Sequence, residues 1–181
     1  MIYVLLAEGF EEIEALAFTD ILRRADVPVM LASADNADTV SGSHGIAVKA
    51  DIHIDDIDKT TVDAVVLPGG LPGAYNLKDS KAVKELLDYA VGGGKILGAI
   101  CAAPYVYESF GYLEGIKATA NPGFADKMIN CCFCDERVVA DGNFITSQGP
   151  GTTHEFAAEF IARFKNRAVA DEIVNEMLYR R

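Results

Sequence analysis

The stretch Lys95-Ile-Leu-Gly-Ala-Ile-Cys-Ala-Ala-Pro104 predicts an apolar strand that breaks abruptly into a helix. Short, continuous apolar runs of this kind are typical of parallel strands that are buried on both faces. Cys101 lies at the predicted turn, where the free amides of a helix N-terminus converge and favour a thiolate over a thiol. Cys101 is therefore a candidate nucleophile. The alternative is a buried cysteine that only fills space in the core.

Further apolar runs predict strands elsewhere in the chain, at Ile2 to Ala7, Val27 to Ser33 and Ala64 to Leu67. Helical patterns cover Glu11 to Arg24, Lys81 to Val91, Ala102 to Phe110, and Thr153 to Tyr179 with a break near Asn166. This alternation predicts an α/β fold with a mostly parallel sheet and helices on both faces. Without a shift in composition, residues 1–181 are expected to form one domain.

Two segments favour hairpins. Residues 39–58 are polar and patchily β-prone, which predicts a hairpin excursion at one edge of the sheet. A second excursion is expected over residues 131–146, where strands at 137–140 and 144–146 flank the tight turn Asp141-Gly142-Asn143.

The composition excludes several classes of partner. Of the 181 residues, 16 are Lys or Arg and 27 are Asp or Glu, so the formal net charge is -11. Such a charge repels phosphate backbones and anionic membrane surfaces, and we expect no nucleic-acid or membrane partner.

No apolar run reaches the roughly 20 residues that span a bilayer, and the N-terminus has no basic leader region. These features indicate a cytoplasmic protein.

Three predicted strands end in segments with unusual chemistry. The first delivers Glu8-Gly-Phe-Glu-Glu-Ile-Glu14, the run at 64–67 delivers Pro68-Gly-Gly-Leu-Pro-Gly73, and the elbow delivers Cys101. Ligands of open α/β sheets bind beyond the carboxyl ends of the strands. We therefore expect the three segments to meet at one rim.

Glu14 is the informative acid of the first segment. On a helix that starts near Glu11, Glu14 shares a face with Phe18 and Ile21, which form an apolar stripe. Burial there raises the pKa of a carboxyl, and a neutral carboxyl can donate a hydrogen bond to a thiolate. The alternative is that the acids near this helix start only complement its macrodipole, which explains Glu11 and Glu12 well but Glu14 only partly.

The glycines of the second segment allow two interpretations. Gly69 and Gly70 form either a simple tight turn or an exposed amide that, with the amide after Cys101, makes an oxyanion hole. The segment matches neither Gly-x-x-x-x-Gly-Lys-Ser/Thr nor Gly-x-Gly-x-x-Gly, so nothing indicates a nucleotide cofactor.

The remaining candidates are histidines and cysteines. His53 is interpreted as a solvated loop residue, His44 could reach the rim or a partner subunit, and His154 begins the last helical region; a Cys-His dyad is neither indicated nor excluded. Three further cysteines crowd into Cys131-Cys-Phe-Cys134 without a second pair, which favours packing over a zinc site. We expect these thiols to be reduced and no metal to be bound.

Five motifs, in this order along nearly the whole chain, resemble the DJ-1/ThiJ/PfpI superfamily, and its DJ-1 branch most. They are Glu11-Glu-Ile-Glu14, Arg23-Arg24-Ala25, Val65-Val-Leu-Pro-Gly-Gly70, Ala99-Ile-Cys-Ala102 and Thr146-Ser-Gln-Gly-Pro-Gly-Thr152.

The resemblance implies a flavodoxin-like three-layer α/β sandwich that forms a homodimer, with a reactive cysteine at Cys101 and a protonated glutamate at Glu14. It places the oxyanion amides at Gly70 and Ala102 and puts Arg24 near the dimer contact. His44 occupies a position where relatives often carry arginine.

Two departures from the family pattern bear on function. Proteases of the PfpI type carry histidine directly after the cysteine, whereas this chain has Ala102. Where some DJ-1 members place a histidine before a proline near the site, this chain has Asn121-Pro122, which leaves acid-base work to Glu14.

The resemblance supplies a leading hypothesis: an enzyme without cofactors that acts on small reactive dicarbonyls, such as methylglyoxal, through a hemithioacetal on Cys101. The alternatives are a redox sensor whose Cys101 is oxidised to a sulfinate, and a chaperone-like protein. A cysteine protease of the PfpI type is disfavoured by Ala102.

Overall fold

The computed structural model describes residues 1–179. The apolar runs of the sequence become the central strands of its sheet. The strands are β1 (Ile2–Leu6), β2 (Val29–Ser33), β3 (Thr39–Ser41), β4 (Ala47–Lys49), β5 (Ile52–His53), β6 (Ala64–Leu67), β7 (Ile96–Ile100), β8 (Lys117–Ala118), β9 (Cys132–Phe133), β10 (Val138–Asp141) and β11 (Phe144–Ser147). The helices are α1 (Glu12–Arg24), α2 (Gly73–Asp79), α3 (Lys81–Gly92), α4 (Pro104–Ser109), α5 (Thr153–Phe164) and α6 (Arg167–Glu176).

Seven of these strands form one sheet in the order β10-β11-β7-β6-β1-β2-β5. Every neighbouring pair is parallel except β10 and β11. Counted from β1, the parallel core has the strand order 2-1-3-4-5 of flavodoxin-like folds. The predicted α/β sandwich with a mostly parallel sheet is confirmed.

The strand residues alternate between two cores, one on each face of the sheet. Tyr3 and Leu5 face the core that is covered by α2, α3 and α4, whereas Val4 and Leu6 face the core beneath α1, α5 and α6. Helices therefore cover both faces, and β1, β6 and β7 are buried between the two layers.

The predicted helices agree with the structure in place and differ at their ends. The helix after Cys101 is α4, which begins at Pro104 rather than at Ala102, because residues 101–103 form a turn with i→i−3 hydrogen bonds from Ala103 to Ile100 and from Tyr105 to Ala102. The C-terminal pattern is two helices, broken at Asn166, whose side chain accepts the amide of Val169 and so caps α6. Helix α6 ends at Glu176 rather than at Tyr179.

The two hairpin segments differ in how they join the sheet. β3 and β4 pair as a separate two-stranded hairpin, and β5 then adds to the edge of the main sheet beside β2. The second hairpin, β10 and β11, is not an excursion: β11 pairs in parallel with β7 and extends the central sheet. Four residues of Phe144–Ser147 are thereby aligned with β7, which brings Ser147 to the turn after β7.

Candidate functional site

Cys101 lies directly after β7, and its backbone is strained. Its φ is +63°, in the left-handed region that residues with a Cβ rarely adopt. Two hydrogen bonds hold the turn: the Cys101 amide donates to the Ser147 carbonyl over 2.9 Å, and the Cys101 carbonyl accepts the Asn121 amide over 2.8 Å. Strain that is imposed by the surrounding structure is characteristic of functional positions.

Glu14, on the first turn of α1, lies beside Cys101 and is 1% exposed. Its Oε2 accepts the Gly69 amide over 2.7 Å, while its buried Oε1 has no hydrogen-bond partner among residues 1–179. Burial, against the opposing hydrogen bond from Gly69 and with a smaller contribution from the nearby charge of Glu11, raises the pKa of Glu14 to about 8. Glu14 is therefore protonated at neutral pH, as the apolar stripe of the sequence predicts.

The pKa of the Cys101 thiol differs from the sequence prediction, which expected the helix amides to lower it. Burial, the charge of a Glu14 carboxylate and the hydrogen bond with Glu14 raise the pKa of Cys101 to about 12. The amides of Ala102 and Gly70 act in the predicted direction and lower it, but their effect is smaller. Two negative charges so close together in a half-buried site repel each other, so a thiolate forms most readily when Glu14 keeps its proton.

Gly69 and Gly70 are required by close packing around this pair. A Cβ on Gly69 would lie 2.7 Å from the Cys101 Cβ and 2.9 Å from Glu14 Oε2. Gly70 has a φ of +85°, and a Cβ there would lie 2.4 Å from the Glu11 amide nitrogen. The glycines let the loop after β6 approach the first turn of α1, so the three predicted segments do meet at one rim.

Glu11 contributes in a way that the sequence interpretation missed. Its carboxylate caps α1 by accepting the amide of Glu14 over 2.8 Å, and its own amide donates to the Gly69 carbonyl over 2.9 Å. It thus connects α1 to the glycine loop. The sequence carried no clear signal of this role, because glutamate is not among the residue types that are preferred at N-caps.

His44 and Glu12 form a second, separate contact. The buried Glu12 carboxylate accepts the His44 amide over 2.7 Å and hydrogen-bonds the His44 Nδ1 over 2.8 Å. Against the opposing effect of desolvation, the His44 hydrogen bonds lower the pKa of Glu12 to about 2, and the pKa of His44 is raised. His44 thus ties the β3–β4 hairpin to α1. It lines a surface cleft of about 400 Å³ together with Ile13, Ile46 and Pro150.

Two further residues that the sequence analysis singled out, Asn121 and Arg24, differ in their relation to Cys101. Asn121 contacts Cys101 through its backbone, while its side chain accepts the Gly123 amide and caps the 3-10 segment 122–127. Arg24 pairs with Asp20 on the exposed end of α1.

Two histidines make contacts away from the elbow. His154 stacks on Tyr179 with ring centroids 4.4 Å apart. His53 is part of β5 and pairs with Asp38 over 3.0 Å, so it is not a free loop residue.

Potential metal ligands gather at one place within residues 1–179, where the side chains of Glu11, Glu12 and His44 bring ligand atoms within 4.8 Å of one another. Both Glu12 oxygens already accept hydrogen bonds from the hairpin. The Cys131, Cys132 and Cys134 thiols form no such group in this part of the chain; Cys131 packs against the core and Cys132 is exposed.

In the part of the chain that the structure describes, no helix combines the length and apolar character that crossing a bilayer requires.

The chain is similar to a known protein family and to several of its members. A family model described as the DJ-1/PfpI family matches residues 1–163. DJ-1 homolog B of Arabidopsis thaliana is 41% identical over 167 residues, which cover 92% of this chain but 38% of that protein. The chain spans less than half the length of the two Arabidopsis relatives that it matches.

Two further relatives match over nearly their whole length. A protein from Pyrococcus horikoshii named as a deglycase is 34% identical over 163 residues, covering 89% of this chain and 97% of its own. The structure of Toxoplasma gondii DJ-1, described as oxidized, superposes with a TM-score of 0.95 at 37% identity and covers 99% of this chain and 98% of its own.

Proposed function

The chain belongs to the DJ-1/PfpI family, and we propose that it is an enzyme without cofactors that acts on small reactive dicarbonyls through Cys101. One observation carries the proposal: a strained cysteine at a strand end lies beside the amides of Gly70 and Ala102 and a buried carboxyl that is protonated at neutral pH. The names of the Pyrococcus relatives, which are called deglycases, support an enzymatic role in this family.

The first step is addition of sulfur to the aldehyde carbon of a dicarbonyl such as methylglyoxal. The Cys101 thiol releases its proton to water, the sulfur forms the S–C bond, and the electron pair of the carbonyl moves to its oxygen. The amides of Gly70 and Ala102, which already point at the sulfur, stabilise that oxygen. Glu14 then gives its proton to the oxygen, and a neutral hemithioacetal results.

The second step is isomerisation. The Glu14 carboxylate removes the proton from the carbon that carries sulfur and returns it to the neighbouring carbon of the enediol, while the hydroxyl proton on the first carbon passes to the neighbouring oxygen. The product is a 2-hydroxy thioester of Cys101. Water hydrolyses the thioester to release the 2-hydroxy acid, lactate in the case of methylglyoxal, and to restore the thiol. No electrons are gained or lost overall, so no redox cofactor is needed.

Lactate formation from methylglyoxal tests this proposal. Cys101→Ser is expected to abolish turnover, because a serine hydroxyl at the same place is a much poorer nucleophile without a general base. Cys132→Ser is the matched control, since Cys132 is exposed and lies on β9. Equal lactate production by wild type and Cys101→Ser would refute the enzyme proposal.

A redox role for the same thiol is the second candidate. It is supported by the Toxoplasma relative, whose structure is described as oxidized. In this reading the Cys101 sulfur is oxidised to a sulfinate, which the Glu14 carboxyl and the two amides hold. Peptide mass spectrometry after mild peroxide treatment tests it. Cys101 should gain two oxygens before Cys131, Cys132 or Cys134; simultaneous oxidation of all four would speak against a sensor.

We further propose that the chain forms a homodimer through the outer face of α1. Ile13 and Arg24 lie on the same face of this helix, eleven residues and about three turns apart. Ile13 is 53% exposed, and Ile46 of the neighbouring hairpin is 54% exposed. Both line the same surface cleft, and a contiguous apolar patch with polar residues around it is typical of association surfaces. Sedimentation equilibrium is expected to give twice the chain mass, and Ile13→Asp is expected to give the monomer.

A further inference from the structure

Three aromatic rings surround a single ammonium group on the surface. The Lys127 Nζ lies 4.7 Å from the ring centroid of Phe124, 5.4 Å from that of Tyr105 and 5.5 Å from that of Tyr75. It also donates a hydrogen bond of 3.0 Å to the Tyr75 hydroxyl. All three distances fall within the roughly 6 Å over which a cation is attracted to a ring face. We call Tyr75, Tyr105 and Phe124 the aromatic cage.

The rings are steeply inclined to one another. Tyr75 and Tyr105 are perpendicular, with an interplanar angle of 90° and centroids 6.4 Å apart. Phe124 closes the third side at 46° to Tyr75 and 49° to Tyr105. Because the face of an aromatic ring carries negative potential, three rings around one small volume provide a cation site rather than simple apolar packing.

The cage holds its cation without a carboxylate. Among the ion pairs of residues 1–179, Lys127 takes part in none, although the chain has a net charge of -11. Lys84 provides a contrast, because its ammonium lies over two rings but is also paired with Asp88. At Lys127 the three rings and the Tyr75 hydroxyl thus occupy the position that Asp88 has at Lys84.

The cage lies at the edge of the sheet that carries the candidate active site. Tyr75 is on α2, which follows the glycine loop, and Tyr105 is on α4, which follows Cys101. Phe124 is in the 3-10 segment that follows Asn121. Lys127 is exposed at the end of that segment, so its side chain can leave the cage by rotation about its own bonds.

We propose that the aromatic cage is a binding site for a primary alkylammonium ion of another molecule, such as the lysine side chain of a peptide, and that Lys127 closes it until that ion displaces it. A primary ammonium reproduces every contact that Lys127 makes, including the hydrogen bond to the Tyr75 hydroxyl. Lys127 is a tethered competitor, so it weakens the apparent affinity for an external ion. This inference is independent of the carbonyl chemistry.

Titration with n-butylammonium chloride, an analogue of the lysine side chain, tests the proposal. The ring resonances of the cage are followed by NMR in the wild type and in Lys127→Ala, at constant ionic strength set with sodium chloride. Both proteins are expected to saturate, with Lys127→Ala binding at least about tenfold more tightly because the tethered competitor is gone. In the Lys127→Ala background, Tyr75→Phe is expected to weaken binding a few-fold by removing the hydroxyl acceptor.

Two controls separate a cation site from simpler explanations. Neutral 1-butanol has nearly the same shape and is expected not to bind, and Lys84→Ala, which removes the other ring-bound lysine, is expected to leave the wild-type titration unchanged. Equal binding of butanol, or no gain in affinity in Lys127→Ala, overturns the cation site. If butylammonium binds to Lys127→Ala but not to the wild type, the proposal that an external ion displaces Lys127 is wrong. Lys127 then only anchors its own segment.

Discussion

Replacing Glu14 by glutamine is expected to stabilise the fold at alkaline pH. Folding raises the pKa of Glu14 from its ordinary value of 4.5 to about 8, chiefly by burial. In the unfolded chain the carboxyl loses its proton near pH 4.5, whereas in the folded protein it keeps the proton until about pH 8. The folded state is therefore increasingly disfavoured as pH rises from 4.5 to 8, and the full cost is present above pH 8.

The size of this effect follows from the shift. At about 1.4 kcal/mol for each pH unit, a pKa that rises from 4.5 to about 8 corresponds to about 5 kcal/mol of lost stability above pH 8. Glutamine is neutral at every pH and nearly the same shape, and its side-chain oxygen can still accept the Gly69 amide. Glu14→Gln should thus be similar in stability to its parent at pH 4.5 and more stable by several kcal/mol at pH 9.

Urea unfolding between pH 4.5 and 9 measures the difference. The comparison is best made in a Cys101→Ala background, because the thiol titrates together with Glu14. Glu136→Gln in the same background is the matched control, since Glu136 is exposed and its replacement removes one negative charge without emptying a buried site. A Glu14→Gln difference that is the same at pH 4.5 and pH 9 would refute the argument that burial keeps this carboxyl neutral.

Three other substitutions test the surroundings of the site. Gly69→Ala is expected to cost about 1–3 kcal/mol in urea unfolding and to slow turnover, because its Cβ meets Cys101 and Glu14, whereas Gly92→Ala, which points into open space, should be neutral. Glu12→Gln is expected to destabilise the protein above pH 4.5; because the pKa of Glu12 is lowered to about 2, this cost should shrink as pH falls from 4.5 to 2 in the same assay. Tyr107→Phe should cost about 1 kcal/mol by thermal or urea unfolding, since the buried hydroxyl donates to the Gly98 carbonyl.

The sequence predicted the fold and the partners of Cys101 because both depend on local patterns. Continuous apolar runs identify strands that are buried on both faces, and the spacing of Glu14, Phe18 and Ile21 identifies the buried face of α1. The edge elements were harder. The short strands β8 and β9 contain two residues each, too few to show any period, and α2 follows a run of glycines and prolines that indicates only a turn.

The pKa of Cys101 could not be predicted from the sequence, because it depends on a balance between distant segments. The sequence around Cys101 indicates only the amides at the start of a helix, which favour a thiolate. The structure adds burial beneath the glycine loop and a carboxyl from α1, and together these outweigh the amides. The effect of the amides can be predicted from one turn of the chain. The effect of burial and of the Glu14 carboxyl can be assessed only when the positions of residues 14, 69 and 101 in the fold are known.

The electrostatics of the pair also argue for the kind of substrate that it accepts. The groups that shift the pKa values of Glu14 and Cys101 are carboxyls, a thiol and backbone amides, with no lysine, arginine or histidine among them. A negative charge on sulfur is thus balanced by dipoles and one shared proton. A substrate that brings its own negative charge adds repulsion that nothing at the site offsets. Methylglyoxal, which is neutral, should therefore be turned over far faster than glyoxylate, an aldehyde of similar size that carries a carboxylate. Similar values of kcat/KM for the two would contradict this account of the site.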